Sequence, residues 1–275
     1  MKLPSGPGAA AADAADAIAD ATAECRTIKS ITAEIAVSGS VGGQRLRGHL
    51  LAGLAQPASA RLEAVAPAGP PLFIFVAMRE DATLLLPRDG RVLQHGRPAE
   101  VLEAIAGVPL DPTDLRMAFT GCTQAPDPEH GRQFGADWRV VPDGPNQLYL
   151  HREPNARWRL VAAVHRREDG AGRQSDQVRV KADAMAGGSQ PSRSVRLQPD
   201  QGVWRAEYAD FEDNLPRSIR LVSADRSRFD LRLKLSQVET NVELGADVFT
   251  VRIPQDADPI SLDELRRSRP GVREN

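Results

Sequence analysis

The feature that most constrains this chain is a strict two-residue alternation near its end. Phe229, Leu231, Leu233 and Leu235 are apolar, while Arg228, Asp230, Arg232 and Lys234 between them are charged. Successive side chains of a strand point to opposite faces, so this run has one greasy face and one wet face and belongs in an antiparallel sheet with a single core side. The same period appears after Lys29, where Ile31, Ala33, Ile35 and Val37 alternate with Thr32, Glu34 and Ala36. Ser38, Gly39, Ser40, Val41, Gly42 and Gly43 then lead into a second run at 45–54, which is a hairpin signal. Further strands are expected at 59–66, 72–78, 83–86, 133–141, 147–151, 157–165, 195–197, 203–208, 218–222 and 248–253, with Trp158, Leu160, Ala162 and Val164 on one face.

Helical spacing is confined to a few places. Over 9–27, Ile18, Thr22, Cys25 and Ile28 recur at three- and four-residue intervals, predicting an amphipathic N-terminal helix. Asp13, Asp16 and Asp20 interrupt its apolar character, so it is not a secretory signal peptide. The sheet pattern stops at Arg97. Over 98–106, Val101, Leu102 and Ile105 share a helical face, with Pro98 in the first turn and Gly107 at the end. A second short helix starts with Asp111 as N-cap and Pro112 as its first residue, turns Leu115 and Phe119 inward, and closes at Gly121 and Cys122. Residues 98–121 therefore read as a two-helix cover over one sheet face. Ser261, Leu262, Asp263 and Glu264 form a capping box for a final helix. Residues 167–194 are polar and read as a mobile arm or linker, in which Val178 and Val180 allow a short strand.

The fold class that follows is mainly β with sparse helices (α+β). It is a single strongly curved antiparallel sheet or unclosed β-barrel of about 11–13 strands, because a sheet of that size has to curl, split or close. One domain is expected over 9–266, with a tether at 1–8 left by removal of upstream residues and a tail at 267–275.

Composition narrows the function. With 35 basic and 37 acidic residues the net charge is -2, which supplies no drive towards phosphate backbones. Two cysteines make no disulfide scaffold, and no run approaches the roughly 18 apolar residues of a membrane helix. His49, His95, His130, His151 and His165 lack metal-ligand spacing and read as surface or strand residues. Cys122 follows a helix-ending glycine and reads as a buried thiol; the alternative, a bridge to Cys25, would suit an oxidising compartment. Ser40, Gly42 and Gly43 are hairpin punctuation rather than a nucleophile motif, and Glu100, Glu103, Asp111 and Asp114 read as helix-start acids on a solvated face. No catalytic set, cofactor motif or metal site emerges, and the expected class is not an enzyme. With only seven Phe, three Trp and two Tyr, the concave face is either close-packed or hollow. Trp138, Trp158 and Trp204 either line a cavity or anchor the core.

The order helix, hairpin, meander, two-helix insertion and second meander carries a resemblance. So do Leu102-Glu103-Ala104-Ile105-Ala106-Gly107-Val108-Pro109-Leu110 with Asp114-Leu115 and Thr120-Gly121, and Val238-Glu239-Thr240-Asn241 with Phe249-Thr250-Val251-Arg252-Ile253-Pro254. Over 9–265 the chain resembles the lipoprotein carrier proteins of the LolA/LolB type. It departs from LolB-type receptors in lacking a Trp-rich start to the hairpin and in its long polar arm. Loop 66–72 lies where LolB-like proteins carry a protruding apolar loop, and equally suits a plain strand connection.

The resemblance implies an unclosed barrel lidded by short helices, and non-enzymatic binding and transfer of lipoprotein acyl chains or another envelope lipid. No cofactor is implied. The implied partners are those acyl chains, an envelope carrier protein and the membrane surface, reached through an N-terminal lipid anchor. The implied location is the bacterial cell envelope, in the periplasm and anchored to the outer membrane. The alternative is a LolA-like sensor or scaffold that binds a protein partner in the envelope. The residues expected to line the cavity and lid are Leu62, Phe73, Phe75, Leu84, Leu86, Val101, Leu102, Ile105, Leu115, Phe119, Trp138, Leu148, Leu150, Trp158, Leu160, Leu231 and Leu233. The 98–121 cover is the element expected to move.

Overall fold

The computed structural model describes residues 1–108, 110–166 and 203–268. The expected strand at 195–197 and the arm at 167–194 lie outside the described residues. Two short turns of strand and thirteen longer runs make one sheet: β1 Ala9–Ala10, β2 Ser30–Val41, β3 Gln44–Ala55, β4 Ser59–Val65, β5 Phe73–Met78, β6 Asp81–Leu86, β7 Arg91–Gly96, β8 Arg132–Phe134, β9 Trp138–Asp143, β10 Asn146–Arg152, β11 Trp158–Arg166, β12 Val203–Glu212, β13 Leu215–Ser223, β14 Phe229–Thr240 and β15 Asp258–Pro259. Among the described residues four helices accompany it: α1 Ala14–Thr22, α2 Pro98–Ala106, α3 Pro112–Thr120 and α4 Leu262–Ser268. The strand order is β1-β8-β9-β10-β11-β12-β13-β14-β2-β3-β4-β5-β6-β7-β15, so the sheet has two free ends and does not close.

The register begins at the turn. Gly42 and Gly43 both have positive φ (59° and 79°), the backbone that a tight two-residue hairpin needs, and they fix Val41 opposite Gln44. Counting back from there sets Val37 opposite Gly48 and Ile35 opposite Leu50. The inward row is then Ile31, Ala33, Ile35 and Val37 on β2, and the same parity on β14 buries Phe229, Leu231, Leu233 and Leu235. On the outer face Arg220 grips Asp230 through two hydrogen bonds of 2.8 and 2.6 Å and reaches Glu207 at 3.5 Å, a charged ladder across β12, β13 and β14.

Several expectations are corrected. The sheet is mixed, because β15 runs parallel to β7 after the chain crosses from mid-sheet to the far edge. The N-terminal helix is shorter than 9–27: Ala9 and Ala10 pair with β8, and residues 25–27 form a separate 3-10 turn. At the start of α1, where no cap was assigned from the sequence, Asp13 makes no side-chain cap hydrogen bond and instead accepts from Arg139 Nε and Nη2 at 2.6 and 2.8 Å. That guanidinium keeps the Asp13 carboxyl below the usual carboxylate range. The strand expected at 133–141 is a hairpin instead, broken at Gly135 with φ 64°. Residues 248–253 add no strand. There Arg61 donates to the carbonyls of Val248 and Thr250 at 3.2 and 3.1 Å, taking the place of a ladder partner. Trp158 and Leu160 do not share a face with Ala162 and Val164. Tyr149 pairs with Ala162 and Leu150 with Leu160, so Val161 is an extra, bulged residue and the parity flips across it. Trp158 and Leu160 join the main core, while Ala162 and Val164 join an outer cluster with Trp138, Val140 and Tyr149.

Cys25 and Cys122 are joined in a disulfide with Cα atoms 5.6 Å apart, which overturns the buried-thiol reading. The turn after α1 and the left-handed Gly121 turn after α3 meet on the inner side of the sheet, and the bridge ties the end of one helix to the end of the other.

Candidate ligand-binding site

The two-helix cover forms as the sequence dictates. Pro98 opens α2 and Gly107, with φ 74°, closes it. Asp111 caps α3 in a reciprocal box with Asp114: the Asp114 amide donates to Asp111 Oδ1 at 2.8 Å and the Asp111 amide donates to Asp114 Oδ2 at 3.2 Å. Gly121 closes α3 with φ 65°. These caps set α2 and α3 across the inner face of β2, β3, β4, β13 and β14.

Between cover and sheet lies a cavity of about 160 Å³. Its roof is Leu102, Ile105 and Ala106 of α2, Val108 and Leu110 of the connection, and Leu115 and Phe119 of α3. Its floor is Val37, Leu46, Gly48, Leu50, Leu62, Ala64, Phe73, Leu221, Leu231 and Leu233, and its rim carries His49, Val65 and Leu72. Val65 and Leu72 are 40% and 39% exposed, so the cavity opens to solvent beside loop 66–72. A methyl built on Gly48 would meet nothing within 4 Å, which places this glycine against open space. A hollow of this volume and lining offers apolar contact and almost no hydrogen-bonding groups to whatever enters it.

The expected lining residues divide. Leu62, Phe73, Leu102, Ile105, Leu115, Phe119, Leu231 and Leu233 meet around this one cavity. Phe75, Leu84, Leu86, Val101 and Leu150 instead belong to the closed core, each no more than 2% exposed. Val101 faces β7, where a side chain at Gly96 would strike it at 2.6 Å. Trp158 and Leu160 line a narrow crevice with Asp20, Arg157 and Phe211, and Trp158 lies 4.7 Å beneath the Arg139 guanidinium. Its amide donates to Asp20 at 2.7 Å. Trp138 is on the outer face, edge-on to His151 at 4.7 Å. Leu148 lines a different cavity, behind α3. Sequence reasoning missed Gly48, Leu46, Leu50 and Val37, although the register from the Gly42–Gly43 turn was enough to put them on the inner face.

The acids of the cover have structural partners. Glu100 lies 3.6 Å from Arg97 and Glu103 3.7 Å from Arg228, while Asp111 and Asp114 cap α3. Arg116 is the oddity: it is 8% exposed, its Nε has no hydrogen-bond partner among the described residues, and burial pulls its pKa down. Among the described residues no group of three or more His, Cys, Asp or Glu is placed to hold a metal, and no helix is long and apolar enough to cross a membrane.

No family model matches the chain, and no curated relative matches it either. Among solved structures, a LolA superfamily protein from Nitrosomonas europaea superposes with TM-score 0.54 at 11% identity, over 86% of this chain and 97% of that one. The chain has the LolA-type fold. A DUF1329 family protein from Desulfovibrio piger superposes more loosely, with TM-score 0.48 at 11% identity over 88% of this chain and 98% of that one. A protein described as an outer membrane lipoprotein-sorting domain, from Vibrio parahaemolyticus, gives 0.45 at 10% identity over 86% and 97%. In this chain the LolA-type fold sets its hollow under α2 and α3, in the middle of the open sheet.

Proposed function

We propose that this protein binds and transfers an acyl chain, of a lipoprotein or of another envelope lipid, by burial rather than by covalent chemistry. The observation that carries the reading is the cavity of about 160 Å³, lined almost wholly by Leu, Val, Ile, Phe, Ala and Gly and open at one rim. Each methylene withdrawn from water contributes about 0.8 kcal/mol, so burying about six of them is worth roughly 5 kcal/mol. A chain of about sixteen carbons reaches roughly 13 kcal/mol before ordering costs on the same coefficient. The present hollow takes part of such a chain, and the rest needs the cover to shift. The disulfide pins the end of α3, so we assign the movement to α2 and its closing residues Gly107 and Val108.

The setting proposed is the bacterial envelope, with the outer membrane reached through an N-terminal lipid and an envelope carrier protein as the donor or acceptor of cargo. The LolA-type fold and the disulfide, which persists in oxidising compartments, support it. A second reading, a protein partner held on the sheet, draws on the exposed apolar side chains Leu51, Val65, Leu72 and Met78.

Native mass spectrometry of gently purified protein tests the first reading, together with uptake of a fluorescent fatty acid by delipidated protein. Co-purified lipid and uptake that falls at least tenfold in Leu102→Asp are expected. A protein without lipid that takes up no fatty acid, yet retains a stable protein partner, supports the second reading instead.

A further inference from the structure

The outer face of the sheet neutralises its charges on some strands and not on others. On β12 and β13, Arg205 meets Glu207 at 2.7 Å, Arg217 meets Glu212 at 3.1 Å and Arg220 meets Asp230 at 2.6 Å. On β4, Arg61 meets Glu63 at 3.2 Å. The strip between, made of β14, β2 and β3, is different. Arg232 and Lys234 of β14 and Arg45 and Arg47 of β3 are all exposed, and among the described residues none of the four makes an ion pair or a hydrogen bond. The register gathers them. Ser38 of β2 lies opposite both Arg232 and Arg47, and Ala36 lies opposite both Lys234 and His49. Neighbouring strands are about 4.8 Å apart, so the side chains of β14 and β3 rise roughly 10 Å apart on either side of a β2 row of Ala36, Ser38 and Ser40. Asp230 adds no free charge, because Arg220 holds both its oxygens. Glu34, at the far end of the strip beside Leu51, leaves four cations against one acid.

This strip runs into the mouth of the apolar hollow. Arg45 and Arg47 alternate with Leu46 and Gly48, so one stretch of β3 turns cations outward and cavity floor inward. His49 lies opposite Val65, and both are on the rim. Beside them Leu51, Val65 and Leu72 are 43%, 40% and 39% exposed. Uncompensated cations therefore adjoin exposed apolar side chains at the opening. Grouped like charges attract a surface of opposite sign. A free anion or an acidic peptide answers the cations and leaves the apolar side chains in water. An anionic bilayer answers both, since its phosphates meet Lys and Arg and its interfacial layer takes Leu and Val.

We propose that this strip docks the protein on an anionic phospholipid bilayer, with Arg45, Arg47, Arg232 and Lys234 against lipid phosphates and Leu51, Val65 and Leu72 in the interfacial layer. Docked in this way, the mouth of the hollow meets the membrane directly, and an acyl chain passes between the two without crossing water. The inference deepens the acyl-chain reading, on which the use of the docked mouth rests. The docking itself needs neither cargo nor a lipid anchor. Its attraction is carried by exposed charges and is therefore screened by salt.

The test is co-sedimentation of the delipidated full chain with vesicles of phosphatidylcholine alone and of phosphatidylcholine with one-third phosphatidylglycerol. It is run at about 0.1 M and about 1 M salt, between which the screening length falls from about 10 to about 3 Å. At the lower salt the anionic vesicles are expected to bind at least tenfold more tightly than the neutral ones, and at the higher salt that advantage should vanish. Arg47→Glu with Lys234→Glu should weaken anionic-vesicle binding at least tenfold, while Tm and uptake of a fluorescent fatty acid from solution stay those of the parent. The gentler pair Arg45→Gln with Arg232→Gln should weaken it several-fold. Equal binding of the two vesicle types overturns the proposal, as does undiminished anionic-vesicle binding in both double variants. A hexaglutamate peptide that binds as tightly as the anionic vesicles overturns it in favour of an acidic protein partner. Salt-sensitive vesicle binding by a protein that takes up no fatty acid upholds the docking and overturns the acyl-chain reading alone; fatty acid uptake without any preference between vesicles does the reverse.

Discussion

The two sides of α3 make opposite use of one nine-residue helix. Leu115 and Phe119, four apart, face a hollow whose floor is Leu, Val, Ala and Gly, whereas Asp114, Met117 and Ala118 face one edged by Asp143, His165 and Tyr208. Both sides rest on inward strand positions of the same sheet, so the alternation that decides which side is buried does not decide what the buried side contains. Volume and polarity at single inward positions do. Gly48 and Ala64 leave space beneath α2, and Tyr208 and His165 leave polar atoms beneath the other flank. A helix placed between two such spaces is useful only if it is held firmly while its neighbour α2 can give way.

The largest expected effect concerns that anchoring. Cys25→Ser with Cys122→Ser removes a cross-link that spans 97 residues, for which loop entropy gives about 4–5 kcal/mol. For a chain of this size that corresponds to a fall in Tm of roughly 10–15 °C, readable by calorimetry. A fall of under about 3 °C would show that packing alone fixes α3 and would erase the contrast with α2.

The next effect separates the polar flank from the apolar one by pH. The Asp114 pKa is raised to about 6 from 3.8, so the native state takes up a proton before the unfolded chain does. This group therefore adds stability as pH falls from about 6 to about 4. The His165 pKa is lowered to about 4 from 6.5, so the unfolded chain is protonated first and stability is lost as pH falls from about 6.5 to about 4. Each amounts to roughly 3 kcal/mol at about 1.4 kcal/mol per unit, with opposite sign. Denaturant midpoints of the parent protein should hence change little across that window. Asp114→Asn should become acid-labile there, and His165→Phe should gain stability on acidification. Parallel slopes in both variants would contradict this balance.

The smallest effect tests the seam between the flanks. Arg116 is buried and its Nε lacks a partner among the described residues, an arrangement in which an apolar replacement of similar length is neutral or stabilising. Arg116→Met should raise stability by about 1 kcal/mol in urea unfolding. A comparable loss would reveal that the guanidinium has an acceptor.

Much of this was legible in the chain. The clean alternation of β14 and the Gly42–Gly43 turn between β2 and β3 disclose the sheet, and the Pro-start, Gly-end pattern discloses α2 and α3 to within a residue. What stayed hidden depends on long-range partners. The bulge at Val161 flips the face of β11 without any local signal. The extended run at 248–253 meets Arg61 rather than a strand, and Asp13 is drawn from α1 by Arg139, 126 positions away. The cavity suffered from the same limit. Val101 and Leu102 are neighbours with the same apolarity, yet one is sealed against β7 and the other roofs the hollow, and only the docking angle of α2 tells them apart. Gly48 was invisible for a different reason: it contributes by what it lacks.

That glycine gives the most direct test. Its φ requires no special residue, and a side chain built there meets open space, so Gly48→Phe should fill the hollow without disturbing the sheet. Fluorescent fatty acid binding should drop at least tenfold in this variant while its Tm stays within a few degrees of the parent. Undiminished binding by a folded Gly48→Phe protein would show that acyl chains do not enter beneath α2, and the account of the site would fall with it.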